Sequence, residues 1–269
     1  MAVFAGIVVS AGNGKTGKSF SLPNVVCCPG ATDLCISVCY VSEGTMNFRQ
    51  GREFRDRNFY WVREALKAGT FAAELTAAIA RVKTKTIRIH DSGDFFSPVY
   101  IRGWIETIKA NPDIRFWAYT RSWRVAALMP ALAELALLPN MALWLSADAE
   151  CWTACLATYK SHKALSGIAF MQTEDTEDIA TILANQLPAA EFVNFPYHRP
   201  HRTEAKPNGV QVRELDIPNC PAVTGEIKHD KKAPACLACN KCLPVEATPE
   251  INILAAVKGK RKVLTTSVA

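Results

Sequence analysis

Residues 86–111, TIRIHDSGDFFSPVYIRGWIETIKAN, change from one structural pattern to another within a few positions. The segment begins with a short apolar strand (86–89) and continues through a polar turn (90–94). Its apolar residues then recur at helical spacing. Ser97 is suited to cap that helix, and Pro98 to occupy its first turn. The segment therefore predicts a strand followed by a helix, which is the building block of a parallel sheet.

The same order of apolar strand and polar cluster recurs four more times along the chain. The steps between the strand ends are about the length of one strand–helix unit. With a further strand predicted in the apolar N-terminal stretch, these units make six parallel strands. The later four strands end in polar clusters at 119–123, at 146–150, from 172 and from 196.

Alternating strands and helices predict a parallel sheet with right-handed crossovers. Six units favour a partial (β/α)6 barrel like a TIM barrel, although alternation alone does not distinguish it from a doubly wound sheet. The long helical region 45–82 should break near Gly69. We place the barrel at residues 1–200, with an N-terminal cysteine loop at 27–39. Residues 201–269 are predicted to be a loop-rich cysteine segment docked on the barrel, with a basic tail.

Composition indicates an ordinary globular protein of 269 residues, with 49% hydrophobic and 21% charged residues. No apolar stretch is long enough to span a membrane, and the N-terminus lacks the basic leader of a secretory signal. We therefore expect a cytoplasmic protein without membrane contact. The formal charge of +6 is concentrated in two basic segments that suit either nucleic-acid contact or a solvated face. Their residues are Arg49, Arg52, Arg55, Arg57 and Arg63, and Lys258, Lys260, Arg261 and Lys262.

The stretch from Gly12 to Ser19 matches the phosphate-loop pattern G-x-x-x-x-G-K-[ST]. That pattern is meaningful only where a helix follows, because the N-terminus of the helix supplies phosphate donors. Pro23 and Pro29 come soon after Ser19 and forbid a regular helix. We therefore predict a cationic hairpin or loop leading to the cysteines, and not a P-loop NTPase.

Ten cysteines in a chain without an export signal predict metal binding or redox chemistry, because a reducing compartment disfavours disulfides. Cys236, Cys239 and Cys242 form C-x2-C-x2-C, and Cys220 precedes a proline, a pattern typical of iron–sulfur ligation. Structural zinc is the alternative, but its four-cysteine sites usually consist of two separated C-x2-C pairs. We favour iron–sulfur for these four ligands.

A second set of cysteines, Cys28, Cys35 and Cys39, lies in CCPGATDLCISVCY. Three thiolates without an obvious local fourth leave one coordination position for a substrate, a cofactor or a distant ligand. Catalytic metal centres keep such a vacancy, whereas structural centres are closed. Cys27 is interpreted as a neighbour, because adjacent side chains seldom point at one metal.

The turn after the strand at 86–89 is the other chemically dense stretch. His90, Asp91 and Asp94 are candidate catalytic residues, because two carboxylates and an imidazole can bind an ammonium group or move a proton. Gly93 allows close approach of a ligand to the backbone. The ordinary alternative is that Asp91 or Asp94 caps the following turn. At other strand ends the candidates are Tyr119 and Arg121 for cofactor binding, with Glu150 and His198 facing the same cavity.

The order of these features resembles the radical S-adenosylmethionine superfamily. There, three cysteines after the first barrel strand hold a [4Fe–4S] cluster with one open iron, and a turn after the second strand contacts the amino group of the cofactor. The superfamily usually spaces its cysteines C-x3-C-x2-C, whereas this chain has C-x6-C-x3-C. The resemblance implies one or two [4Fe–4S] clusters and S-adenosylmethionine as cofactors. It assigns Cys28, Cys35 and Cys39 to the cluster and Ser92, Gly93 and Asp94 to the amino-binding turn.

Longer strings, SFSLP…CPGATDLC…CY, RIHDSGDFFSPVYIRGW and RFWAYTRSW, resemble a family of phage and prophage proteins named gene product eighty-eight. This resemblance spans most of the chain. It implies a barrel-like, cysteine-rich protein, located in the host cytoplasm if phage-encoded. The function we expect is an iron–sulfur protein, with one-electron reductive chemistry on a small molecule if it is an enzyme. The alternative is a non-enzymatic binding protein, stapled by iron–sulfur or zinc, that contacts nucleic acid or a host protein.

Overall fold

The protein is a mixed α/β structure, seen in a computed structural model that describes residues 6–42, 44–173, 175–196, 215–230 and 232–244. One seven-stranded sheet organises the described part, and its strands lie side by side in chain order. The first two strands pair antiparallel, and every later pair is parallel. The strands are β1 (Ser10–Asn13), β2 (Gly17–Phe20), β3 (Thr86–Ile89), β4 (Arg115–Thr120), β5 (Met141–Ala147), β6 (Gly167–Gln172) and β7 (Phe192–Pro196).

The helices that connect the parallel strands pack on one face of the sheet. Right-handed crossovers between strands in chain order place every connecting helix on the same side. The main core forms between these helices and alternate strand residues such as Ile89, Phe116 and Phe170. The helices are α1 (Asp33–Ser37), α2 (Arg49–Ala68), α3 (Phe71–Val82), α4 (Pro98–Lys109), α5 (Met129–Ala136), α6 (Trp152–Ser161), α7 (Glu177–Gln186), α8 (Pro221–Thr224) and α9 (Ala235–Cys239).

The opposite face of the sheet is covered by the C-terminal segment. Side chains of successive strand residues alternate between the two faces, so Trp117 and Trp144 point away from the helices. They form a second apolar cluster with segment residues such as Ala235 and Leu243. The described residues of this segment therefore pack on the sheet.

Most of the predicted elements are confirmed. Strands β3 to β7 coincide with the five predicted apolar runs. The helical region 45–82 divides into α2 and α3 at Gly69, which ends α2 in the left-handed conformation with φ 70°. Ser97 caps α4 by accepting a hydrogen bond from the Tyr100 backbone N–H at 3.2 Å, and Pro98 follows it.

The prediction of a strand in the apolar N-terminal stretch is only partly right for its described residues, because residues 10–12 lie in β1, which pairs antiparallel with β2. Residues 6–9 are not in a strand, and the first parallel strand is instead β2, with the sequence GKSF. The Gly12–Ser19 stretch is a hairpin, as predicted. Its turn is closed by the Asn13 side chain, whose Oδ1 accepts from the backbone N–H groups of Lys15 (2.9 Å) and Thr16 (2.8 Å).

The described strands form an open, mostly parallel sheet in which β1 and β7 are the edges. A partial barrel is a more specific architecture than this strand order, and it stays a prediction. The predicted division near residue 200 lies outside the described residues, as do His198 and the basic run 258–262. None of the helices described combines the length and the apolar character needed to cross a bilayer.

The packing of α4 against α3 gives a first prediction. A Cβ atom on Gly103 would lie 2.3 Å from Cδ1 of the buried Phe71 ring. Gly103→Ala should therefore lower the free energy of unfolding by about 1–3 kcal/mol through overpacking, although Ala normally favours a helix by about 1 kcal/mol. Urea denaturation measures the change.

Phe71→Leu supplies the control, because it makes room beside position 103. The double variant should lose less stability than the sum of the two single variants. Additive losses, or a Gly103→Ala variant more stable than the parent, would contradict the packing argument.

Candidate metal-binding cysteine sites

The loop that carries Cys28 lies directly against the chain that follows β4. A Cβ atom on Gly30 would lie 1.9 Å from the carbonyl oxygen of Arg121, so only glycine permits this approach. Arg124 Nη1 donates to the carbonyl oxygens of Gly30 at 2.8 Å and Ala31 at 2.9 Å. The cysteine loop is thus anchored through its backbone to the carboxyl end of the sheet.

A buried ion pair forms the second anchor of this loop. Arg121 Nη1 lies 2.6 Å from Asp148 Oδ2, and the two side chains are 7% and 0% exposed. The Thr32 hydroxyl donates to the same carboxylate oxygen and accepts from the Cys35 N–H at 3.0 Å. Thr32 therefore caps α1 and connects Cys35 to the ends of β4 and β5 at once.

Further contacts fix the remainder of the loop. Glu150 Oε1 accepts from the backbone N–H of Leu34 at 2.8 Å, at the start of α1. The Tyr40 hydroxyl donates to the carbonyl oxygen of Asp91, and Asn24 Nδ2 lies 3.6 Å from Cys39 Sγ. The three predicted ligands, Cys28, Cys35 and Cys39, are all half-buried free thiols over the ends of the strands.

The environment of these thiols favours their protonated form when no metal is bound. Burial raises the pKa of the Cys28 thiol well above its ordinary value, and the Asp94 carboxylate and Cys35 add to the effect. Burial also raises the pKa of Cys35, while the Arg121 guanidinium opposes the rise. Because metals bind thiolates, loading of this set would displace protons.

His90 lies on the helix side of the sheet. Its ring is buried beside Phe95 (centroids 4.7 Å apart), and its Nε2 lies 2.7 Å from the Tyr100 hydroxyl oxygen. Burial lowers the pKa of His90 to about 3, with Arg88 adding to the effect. These contacts favour a neutral core histidine, and the predicted catalytic role of His90 stays a prediction.

Asp91 and Asp94 are both engaged in internal hydrogen bonds. Asp91 accepts from Ser19 Oγ at 2.8 Å and from the Ser21 hydroxyl. Asp94 accepts from Thr120 Oγ1 (2.6 Å) and from the backbone N–H groups of Arg121 (2.7 Å) and Phe95 (2.7 Å). Burial raises the pKa of the Asp94 carboxyl, and these hydrogen bonds oppose the rise. Both carboxylates thus connect strand ends through hydrogen bonds, and the catalytic roles predicted for Asp91 and Asp94 stay predictions.

Ser92 and Gly93, predicted to bind a cofactor, contact the chain after β2. Ser92 Oγ donates to the carbonyl oxygen of Leu22 at 2.7 Å. Gly93 has φ 80°, and a Cβ atom there would lie 2.7 Å from the Cβ of Leu22. The sequence predicts that another group approaches the backbone closely at Gly93. Such an approach exists, but the group is Leu22 of the same protein and not a ligand.

The second cysteine set is held by backbone contacts with the N-terminal hairpin and with β7. Cys236 donates its N–H to the carbonyl oxygen of Lys15 at 2.8 Å, and Cys220 donates to that of Asn194 at 2.8 Å. Trp144 Nε1 donates to the carbonyl oxygen of Cys242 at 3.1 Å. The described C-terminal segment thus brings Cys220, Cys236, Cys239 and Cys242 to the sheet face opposite the helices.

Two cations, Arg88 and Lys15, act electrostatically on this second set. The Arg88 guanidinium lies 4.0 Å from the ring centroid of Tyr119, and Lys15 Nζ lies 5.4 Å from that of Phe195. Burial raises the pKa of Cys242 to about 12 and that of Cys236 above its ordinary value, while Arg88 opposes both rises. Tyr119, predicted to bind a cofactor, is here the platform on which Arg88 stacks.

The chemistry of both sets suits a thiolate-bound metal. All ten cysteines are free thiols. Within the described residues, no group of three or more His, Cys, Asp or Glu side chains is close enough to hold a metal ion. The cysteines of each set therefore lie in one region of the fold, but they are not arranged as ligands around a metal. Their assignment as metal ligands stays a prediction.

Three residues that organise these sites were missed by sequence reasoning. Asp148 follows an apolar strand and lies within the polar cluster at 146–150, so its position at a strand end could have identified it as a site residue. Thr32 precedes Asp33 as an N-cap would. Arg88 is a charged residue inside the apolar strand β3, which is unusual for a buried position.

Fold and site together define an α/β protein with two sets of free cysteines on a mostly parallel sheet. The family model described as Gene product 88 matches residues 7–244, and the chain belongs to this family. The Gene 88 protein of Mycobacterium phage L5 is 34% identical over 154 residues, which are 53% of this chain and 63% of that protein. The Gene 88 protein of Mycobacterium phage D29 is 30% identical over 181 residues, 63% of this chain and 72% of that protein. No solved structure matches.

The resemblance to the phage family is thus confirmed. The alignment with the phage L5 protein spans less than two thirds of that protein. These matches give no support to a radical S-adenosylmethionine architecture. The names of these relatives give a gene number and state no activity.

The Arg121–Asp148 pair gives a second prediction. Asp148→Asn leaves the Arg121 cation buried without its counter-charge, so the free energy of unfolding should fall by about 3–5 kcal/mol. Alkylation of Cys28 and Cys35, mapped by mass spectrometry under native conditions, should become faster because the loop loses an anchor. Glu150→Gln, at an exposed anchor of the same loop, should cost only about 1 kcal/mol. Equal losses for the two variants would contradict this order.

The buried His90 gives a third prediction. The unfolded chain binds a proton at this histidine below about pH 6.5, whereas the folded protein binds it only near pH 3. Stability should therefore decline as the pH falls below 6.5, by up to about 1.4 kcal/mol per pH unit. His90→Asn keeps a residue that tolerates φ 61° but does not titrate here. Its unfolding free energy, measured by urea at pH 7 and 4.5, should fall less than that of the parent. Parallel pH curves would refute the assignment.

Proposed function

We propose that this protein binds iron–sulfur clusters through its two cysteine sets. Cys220, Cys236, Cys239 and Cys242 would hold a closed four-thiolate centre. Cys28, Cys35 and Cys39 would hold a second centre with one open position at the carboxyl ends of the strands. The observation that carries the proposal is that seven free thiols lie in two regions of the fold, one at the strand ends and one on the sheet face opposite the helices.

The different surroundings of the two sets support different roles. The C-terminal set lies between the hairpin and the apolar sheet face, where a closed centre would stabilise the docking of the segment. The N-terminal set is half-buried in a loop on the strand ends, where ligands of α/β proteins bind. The open position therefore belongs with the N-terminal set in this proposal.

A partial barrel is the architecture we propose for the sheet. Six parallel strands in chain order with helices on one face suit a sheet that curves around the opposite face. In such a barrel the C-terminal segment would fill the interior. The sheet face that carries Trp117 and Trp144 against this segment supports the arrangement.

If the protein is an enzyme, the reaction we propose is a one-electron reduction of a small molecule at the N-terminal set. An iron–sulfur cluster supplies single electrons at a potential that the protein tunes through hydrogen bonds and burial. In this reaction the protein itself would hold Cys35 near the buried Arg121. It would also exclude water from the part of the site next to the buried Asp94. S-adenosylmethionine remains a candidate ligand, although the C-x6-C-x3-C spacing differs from that of the superfamily.

A non-enzymatic binding protein stapled by metal is the second candidate. The position of the C-terminal cysteines, which fasten a segment poor in apolar residues onto the sheet, favours such a structural centre, with zinc as the alternative metal. The basic residues of α2 give weaker support to nucleic-acid contact. Arg55 is buried, Arg49 pairs with Glu53 at 3.3 Å, and Arg52 bonds to Asn47.

Anaerobic purification followed by iron and sulfide analysis tests the proposal and gives a fourth prediction. The parent protein should be coloured and contain iron and acid-labile sulfide in equal amounts. If both sets are loaded, Cys28→Ala and Cys239→Ala should each lose about half of the iron. Cys27→Ala is the matched control, because Cys27 is adjacent to Cys28 but buried in the helix-side core.

The outcomes separate the candidates. Stoichiometric zinc without colour would defeat the iron–sulfur assignment and favour the metal-stapled binding protein. Salt-dependent retention of nucleic acid would add a partner to that second candidate. If the iron content is unchanged in both the Cys28→Ala variant and the Cys239→Ala variant, the proposed ligands are wrong.

A further inference from the structure

The exposed side of α2 carries cations at regular helical spacing. Six exposed residues follow one another at steps of three or four along the helix, so their side chains lie on one side of it. We call this set the α2 stripe, and its residues are Arg49, Arg52, Asp56, Tyr60, Arg63 and Lys67. At 1.5 Å per residue the stripe extends along about 27 Å of the helix. Four cations and one acid give it a net positive charge.

Exposed aromatic rings lie in the same part of the protein. Among the described residues, the exposed aromatic side chains are Tyr40, Phe48 and Tyr60, which are 56%, 63% and 57% exposed. Phe48 immediately precedes α2, and Tyr60 belongs to the α2 stripe. The chain after Tyr40 is joined to the start of α2, because Asn47 Nδ2 donates to the carbonyl oxygen of Ser42 at 2.7 Å. The cationic stripe therefore has exposed rings at its start and along its length.

Two cations of the α2 stripe have acidic partners on the same helix. Arg49 Nε lies 3.3 Å from Glu53 Oε1, and Lys67 Nζ lies 2.7 Å from Glu64 Oε1. The four side chains are between 42% and 79% exposed. Exposed ion pairs of this kind are weak, so an incoming phosphate can compete with the carboxylates for both cations.

The other two cations, Arg52 and Arg63, have neutral partners. Arg52 Nη1 donates to the carbonyl oxygen of Asn47 at 2.8 Å and to its Oδ1 at 3.0 Å. The Arg63 guanidinium lies 5.7 Å from the ring centroid of Phe59. Within the described residues, neither arginine has a carboxylate at ion-pair distance. Both guanidinium groups are therefore held in place with their charge available to an anion.

A line of cations that includes exposed rings suits single-stranded nucleic acid. Phosphates are attracted to the cations, and unpaired bases stack on aromatic faces. In a duplex the faces of the bases are covered by neighbouring pairs, so Phe48 and Tyr60 would gain no stacking partner. We propose that the α2 stripe and Phe48 bind single-stranded nucleic acid, with phosphates at Arg52 and Arg63 and bases on the two rings. This inference deepens the second candidate function and rests on its nucleic-acid partner, not on metal at either cysteine set.

Charge and stacking should respond differently to salt, which gives our fifth prediction. The double variant Arg52→Ala/Arg63→Ala removes two phosphate contacts. Its affinity at low salt should fall by about tenfold or more, and the slope of log K against log salt should become shallower by about 1.4. Tyr60→Ala should weaken binding by about tenfold through lost stacking, with an unchanged salt slope. A stripe that is merely solvated would produce neither effect.

Fluorescence anisotropy of a labelled oligothymidylate of about 20 nucleotides, titrated with the full-length protein at several salt concentrations, provides the measurement. Asp56→Asn removes the acid of the stripe and should tighten binding, a gain that unfolding of the variant cannot produce. Arg102→Ala, which removes an exposed arginine of α4, is the matched control and should bind like the parent. An oligouridylate of the same length shows whether RNA is bound in preference to DNA, and a duplex of that length tests the need for unpaired bases.

The outcomes decide the proposal. Weaker binding by the double variant and by Tyr60→Ala, together with tighter binding by Asp56→Asn, supports it. A parent protein that does not bind the oligonucleotide at low salt overturns it. So does a double variant with the affinity and salt slope of the parent, or a duplex bound as tightly as the single strand. Iron and sulfide content is a separate measurement, so failure here and failure of the iron–sulfur proposal are distinguishable.

Discussion

The buried contact between Arg121 and Asp148 is the constraint on which the arrangement of the N-terminal cysteines depends. The Arg121 side chain meets Asp148 after β5, while its backbone N–H is bonded to Asp94 after β3. Its carbonyl oxygen lies where a side chain at position 30 would be, which makes Gly30 obligatory. One residue thus connects three strand ends with the cysteine loop. A buried charged pair in this position has few alternative partners, so it specifies one position of the cysteine loop on the strand ends.

The same network explains why the polar residues at the strand ends resemble a ligand site in the sequence, whereas in the structure they hydrogen-bond one strand end to another. In parallel α/β sheets the carboxyl ends of strands are where ligands bind. Here Asp91 and Asp94 use their oxygens on serine and threonine hydroxyls and on backbone N–H groups. Cys28, Cys35 and Cys39 lie at the same end of the sheet as half-buried free thiols.

Sequence reasoning succeeds where the signal is local and fails where it depends on distant partners. Helix α4 was predictable because Ser97, Pro98 and the apolar spacing all agree within one segment. Strand β2, GKSF, has weak intrinsic strand character and exists because it pairs with both β1 and β3. The two cysteine sets were visible as spacing. Their anchor Asp148 was not, because it meets Thr32 across 116 residues of sequence.

The C-terminal cysteines couple the two ends of the described chain. Their segment is bonded to the hairpin turn through Gly14 and Lys15 and covers the apolar face around Trp144. Lys15 comes from that hairpin and Arg88 from the centre of the sheet, so the positive charge around the thiols is assembled only when hairpin, sheet and segment are together. A ligand that binds only the assembled state stabilises it in proportion to its affinity. A metal bound at this set, as proposed, would therefore stabilise the docking of the C-terminal segment on the hairpin and the sheet.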